Sequence, residues 1–215
     1  MGKIIKITNY NNTKGDNMYK KFLKEIREKA SDINDIPTRA QEVLNFFNID
    51  NLASGVPVVE ILINLGFKIF QSELEPIGLS AYIAVDPKFE NVYGSNKITC
   101  VHIWDNIGHK KFALAHELGH YIFDFDDYKS FYYYNTYFPQ KDENAQEPKE
   151  IRANKFAANL LMPEDKFVQK LEECKNLESK VDIVNALARY FVVSPTAVIK
   201  RFGELDVTEF ENLIK

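Results

Sequence analysis

One pentapeptide constrains this chain more than any other feature. His116-Glu117-Leu118-Gly119-His120 is an HExxH pattern inside the amphipathic run HKKFALAHELGHYIFD. The apolar period predicts one helix from His109 to near Asp124. Residues four apart on a helix share a face, one turn apart. Both imidazoles can therefore reach one metal ion, with Glu117 beside them as a base for a metal-bound water. Gly119 is costly in a helix interior, by about 1 kcal/mol against Ala. Close approach of a second helix is a reason for it.

A catalytic zinc takes three protein ligands and keeps one position open. Asp124 continues the same face, but it lies eight residues from His116, about 12 Å of rise on a straight helix. It is better placed as a hydrogen-bond partner for an imidazole N–H. The third-ligand candidate is Glu150, which opens a helix over 147–162, EPKEIRANKFAANLLM, 30 residues after His120. Glu147, one turn earlier, is the alternative. Ala153, Asn154, Ala157 and Leu161 share a face with Glu150, and the two alanines would let this helix approach Gly119 closely. Cys100, Cys174 and His102 lie outside both helices, so no fourth Cys or His stands ready to close the site.

The segments FALAHELGHYIF (112–123) and EIRANKFAANLLMP (150–163) resemble the ImmA/IrrE zinc metallopeptidases. The resemblance covers roughly residues 55–165 and continues more weakly through ALARYFVVSPTAVIKRF (186–202). It implies a zincin-like core, one Zn2+ per chain held by His116, His120 and Glu150, and Glu117 as the base. Asp124 and Asn154 are the expected second-layer residues around the ligands. Several members of the family cleave repressors of the XRE helix-turn-helix class, so such a repressor is the expected partner. Two positions depart from the family pattern. Arg152 stands where a second acidic residue is usual, and Asp124 where many members have a His.

Around this centre the chain divides by pattern. Helices are predicted over Met18–Ile33, Arg39–Phe47 and from Val56 to Leu65, with Gly66 as the stop. FKIFQSEL (67–74), LSAYIAVD (79–86) and KITCVHIWD (97–105) predict three strands of a small antiparallel sheet. Residues 125–146 are acidic and hold FYYYNTYF; they read as a long loop or flap, either lining a substrate cleft or covering the core. PEDKFVQKLEECKN, SKVDIVNALARYF, SPTAVIKRF and DVTEFENLIK predict a helical end. The expected class is α+β: a helical extension over 1–50, a metallopeptidase core over 51–165 and a helical segment over 166–215.

Composition removes other classes. The 215 residues carry 27 Lys and Arg against 31 Asp and Glu, a formal charge of −4. This is a poor balance for a general nucleic-acid binder. SPTAVIKRF has the look of the second helix of a helix-turn-helix. Residues 186–203 offer only Arg189, Lys200 and Arg201 as cations, so direct DNA binding is disfavoured. Two distant cysteines, a polar N-terminus and no apolar run near 18 residues predict a cytoplasmic protein with no membrane partner. Trp104 and Phe112 read as core aromatics, and His109 as a surface residue.

The expected function is a zinc endopeptidase of limited specificity acting on an XRE-type repressor. A peptide would lie along the outer strand of the 67–105 sheet. The alternatives are a non-proteolytic, zinc-stabilised regulator that binds a repressor or DNA through its C-terminal helices, and a toxin-like or immunity protein whose flap blocks the cleft.

Overall fold

A computed structural model describes residues 5–6, 16–30, 32–74, 79–125, 130–136 and 148–205. The strands are β1 (Ile5–Lys6), β2 (Lys68–Ser72), β3 (Leu79–Val85), β4 (Lys97–His102) and β5 (Phe131–Thr136). The helices are α1 (Asp16–Lys29), α2 (Ile36–Phe46), α3 (Val58–Asn64), α4 (Glu90–Tyr93), α5 (Ile107–Asp124), α6 (Pro148–Leu161), α7 (Glu164–Cys174), α8 (Lys180–Phe191) and α9 (Pro195–Glu204). The expected α+β order is present. The stretch after Leu205 and the alternative ligand Glu147 lie outside the described residues.

The sheet departs from the expected three antiparallel strands. It has five, in the order β1-β2-β4-β3-β5. β4 inserts between β2 and β3 and runs parallel to β2, with Phe70 opposite Cys100. A parallel pair needs a return path, and β3 provides it by running back antiparallel to β4. Sequence order therefore misleads about neighbours here. The second departure is β5, which falls within the stretch read as a flap. It pairs antiparallel with β3 from Val85↔Phe131 to Leu79↔Thr136. FYYYNT holds four aromatic residues and a β-branched Thr136, a composition that suits a pleated edge.

Side-chain alternation along β3 divides two cores. Ala81, Ile83 and Val85 join the main core with α1, α2, α3, α5 and α6. Ala84 joins a smaller cluster of Phe70, Leu79, Ile98 and Cys100 on the other face, covered by Phe89 and Tyr93. α5 lies in the middle of the main core, with eleven of its residues buried. Asn106 caps its start by accepting from the His109 N–H at 2.9 Å. At its other end the Arg27 guanidinium of α1 donates to the Ile122 carbonyl at 2.6 Å, satisfying a terminal acceptor that the helix itself leaves open.

α8 and α9 meet at about 100° through Val192, which adopts φ 54°. That angle suits a helix-turn-helix. Arg201 is nonetheless buried: it donates to the Met162 carbonyl at 3.1 Å and to Asn159 Oδ1 at 2.8 Å. This side chain fastens α9 to the end of α6 and is withdrawn from solvent. Trp104 corrects another expectation. It is 75% exposed, with its indole N–H on Glu73 Oε1 at 3.2 Å, because the 103–106 turn leaves the sheet before the core begins. Phe112 is half-buried against the core. No single described helix is long and apolar enough to cross a membrane.

Candidate metal centre

α5 and α6 pack against each other along a seam of small residues. A Cβ on Gly119 would stand 3.2 Å from Ala153 Cα and 3.1 Å from Phe156 Cδ1. A side chain there would crowd the Ala153 backbone, which accounts for a glycine in the middle of α5. The close seam carries the first turn of α6 over the histidine face.

The structure brings His116, His120 and Glu150 together. Their Nε2 atoms lie 3.0 Å apart. Glu150 Oε2 is 3.1 Å from His116 Nε2, and Oε1 is 3.1 Å from His120 Nε2. Among the described residues this is the one group of three or more such side chains whose ligand atoms all fall within 4.8 Å of one another.

The Nδ1 atoms are engaged elsewhere. His116 Nδ1 is 2.9 Å from Asn154 Oδ1, and His120 Nδ1 is 3.0 Å from Asp124 Oδ2. An Nδ1–H donating to each acceptor leaves both Nε2 lone pairs facing the carboxylate. Three acceptors so arranged repel one another unless a cation sits among them. The spacing suits ligand atoms that each stand about 2 Å from a shared ion. The donor set therefore fits a divalent metal. The carboxylates of Asp124 and Glu150 also favour the protonated form of an imidazole. Burial opposes the charge on His120, but hydrogen bonds to Asp124 and Glu150 prevail and push its pKa up to about 9. Burial likewise opposes the charge on Glu150, yet hydrogen bonds from the two imidazoles hold its carboxyl well below the usual range.

Glu117 is different. It is fully buried, and among the described residues neither of its carboxylate oxygens has a hydrogen-bond partner. Burial pushes its pKa up to about 8. An unpartnered buried carboxylate costs stability. Raising the pKa of a carboxylate strengthens its hold on a proton.

Sequence reading missed one contact. Arg152 donates through Nη2 to Asp124 Oδ1, while its guanidinium lies 5.6 Å from the centre of the Phe123 ring. The signal was present: the two departures from the family pattern are partners of each other. Lys149 Nζ stands 3.8 Å from the same carboxylate oxygen. His109 sits two turns before His116, its side chain 35% exposed, with Nε2 at 3.2 Å from Ser80 Oγ on β3.

A family model described as the IrrE N-terminal-like domain of the M78 peptidases matches residues 65–202. The chain belongs to this family. Membership in the IrrE-like peptidases points to metallopeptidase-like chemistry, and the His-His-Glu cluster lies inside the matched region. No curated protein matches the sequence. A similar solved structure is a transcriptional regulator of Mycobacterium tuberculosis, with a TM-score of 0.51 at 17% identity over 86% of this chain. The likeness is one of fold, and the chain spans about half (51%) of that protein.

Proposed function

We propose that this protein is a zinc-dependent endopeptidase of narrow specificity. The observation that supports the reading best is Glu117, a fully buried carboxylate beside the His-His-Glu cluster without a hydrogen-bond partner among the described residues. A purely structural metal site gains nothing from such a group and bears its burial cost.

In this reading His116, His120 and Glu150 hold the ion. Asn154 and Asp124 fix the imidazole orientation through Nδ1. A bound zinc ion supplies Lewis acidity, which activates water and polarises a peptide carbonyl. Glu117 takes the proton of the attacking water on a carboxylate oxygen and delivers it to the leaving amide nitrogen. The resemblance to repressor-cleaving members makes an XRE-type repressor the proposed substrate. The buried Arg201 leaves few exposed cations on α9, so the alternative of a DNA-binding regulator has little support from this surface.

Glu117→Gln separates the readings. It should keep the metal and the fold, because burial already disfavours the charge it removes, and should lower peptide cleavage at least about a hundredfold. Metal analysis, thermal unfolding and cleavage of an XRE-type repressor by the same preparation check it. Unchanged cleavage would sink the mechanism.

A further inference from the structure

The outer edge of β3 runs beside the helix that carries the centre. At its start Ser80 touches His109, and at its end Val85 is paired with Phe131, whose ring packs near Tyr121 at 6.4 Å. From His109 to Tyr121 α5 rises about 18 Å, and from Leu79 to Val85 β3 spans about 20 Å. The edge therefore passes the turn holding His116. At 3.6 residues per turn Glu117 falls between the histidine stripe and the stripe of Leu114 and Tyr121 that packs into the core with β3. The carboxylate faces the sheet side of the centre.

A sheet edge of this kind binds an extended polypeptide by strand addition. Here the position is taken. β5 lies antiparallel on β3 over the whole of that stretch, and His116, Glu117 and His120 are each no more than 1% exposed. Of the four site residues only Glu150 keeps substantial exposure, at 35% of its side chain.

Among the described residues, Asp86 just beyond β3 holds the start of β5. The Ser130 hydroxyl donates to Asp86 Oδ2 at 3.0 Å, and the Tyr132 hydroxyl donates to the same oxygen, while Tyr132 itself is 55% exposed. Phe131 provides the one deep anchor described, against Tyr121 and Phe125.

We propose that β5 is an internal occupant of the β3 docking edge, and that an extended segment of the substrate protein must displace it to reach the centre. The proposal rests on the peptidase reading above. It gives narrow specificity a physical source. A substrate must present a strand able to outcompete an intramolecular one, which is favoured by its high effective concentration.

The test uses the zinc-loaded full chain in three forms, with fluorescent casein as the extended polypeptide probe. Ser130→Ala/Tyr132→Phe removes both hydroxyls from Asp86. Ala84→Cys/Tyr132→Cys places a thiol pair on directly opposed residues, on the sheet face turned away from α5. The Cα separation of opposed antiparallel residues, about 4.5–5.5 Å, allows a disulfide. Backbone hydrogen exchange should show the β5 amides opening at least about tenfold faster in the loosened form, with β4 and zinc content unchanged. Casein cleavage should rise at least about tenfold in the loosened form. It should be absent in the oxidised pair and return on reduction.

Exchange at β5 as slow as at β4 in the loosened form would overturn the proposal, because β5 is then a fixed part of the sheet. Undiminished cleavage by the oxidised pair would overturn it too, since the peptide then uses the outer edge of β5. No cleavage by any form, with β5 opened and zinc bound, refutes the peptidase reading instead.

Discussion

The two flanks of α5 are built on opposite principles. On one side α6 meets it through Gly119 and Ala153, with Ala153 backbone so close that a Cβ on Gly119 would stand tighter than an ordinary contact. On the other side β5 lies on β3 through a ladder and, among the described residues, one anchoring ring and two hydroxyls on Asp86. The first contact brings the three prospective ligands together. The second sets a single ring of the described part of β5, Phe131, into the main core. The proposed peptidase, which would hold an ion and still admit a protein chain, would use both kinds of wall.

The seam is the place to break this comparison first. Glu150→Ala or His116→Ala should abolish stoichiometric metal binding, because two ligands do not retain zinc against buffer. Metal analysis after gel filtration decides it. Full retention by Glu150→Ala would remove α6 from the centre.

Next in size is Gly119→Val. A branched side chain would meet Ala153 backbone, which cannot swing aside, so the cost should be about 1–3 kcal/mol with metal lost in parallel. Chemical denaturation with metal titration measures both. A variant as stable as the parent would show that the seam has slack.

A smaller effect is expected from Arg152→Gln. Arg152 does not touch the imidazoles; it holds Asp124, which holds His120 Nδ1. Zinc affinity should fall roughly 10-fold, with Arg152→Lys recovering part of it. Competition with a chromophoric chelator reads this directly. No change would make the Asp124–Arg152 pair an ornament of the surface.

The smallest effect lies at the far end of α5. Burial lowers the Lys111 pKa to about 8, while its ammonium reaches the Phe191 carbonyl at 3.3 Å. Between about pH 8 and the ordinary lysine value near 10.4, the unfolded chain binds more protons than the folded one. Stability should therefore gain with pH across that window from this group. Lys111→Met should flatten the gain, as urea midpoints at pH 7.5 and 9.5 would show. An unchanged pH slope would place Lys111 in solvent.

How much could be read beforehand depended on the range of the interaction. HELGH and its helix were legible because i, i+4 geometry is local, and Glu150 was legible because small residues marked a close helix face. The parallel β2–β4 pair was not, since strand patterns carry no information about which strand lies beside which. β5 was hidden for the same reason: FYYYNT is a plausible strand, but only the open edge of β3 gives it a place.

By itself the sequence determined the chemistry of the centre: two imidazoles one turn apart, a carboxylate between them, and a second helix with a Glu at its start and alanines on its face. It also determined the α+β order, through periods of 3.6 and 2 that each segment carries alone. The tertiary structure decided what these parts meet. It paired Asp124 with Arg152, drew Arg201 inside to the end of α6, left Trp104 outside, and laid β5 along β3. Those outcomes depend on contacts between residues far apart in the chain, where each partner is chosen by the space and the unsatisfied groups that the rest of the fold leaves over.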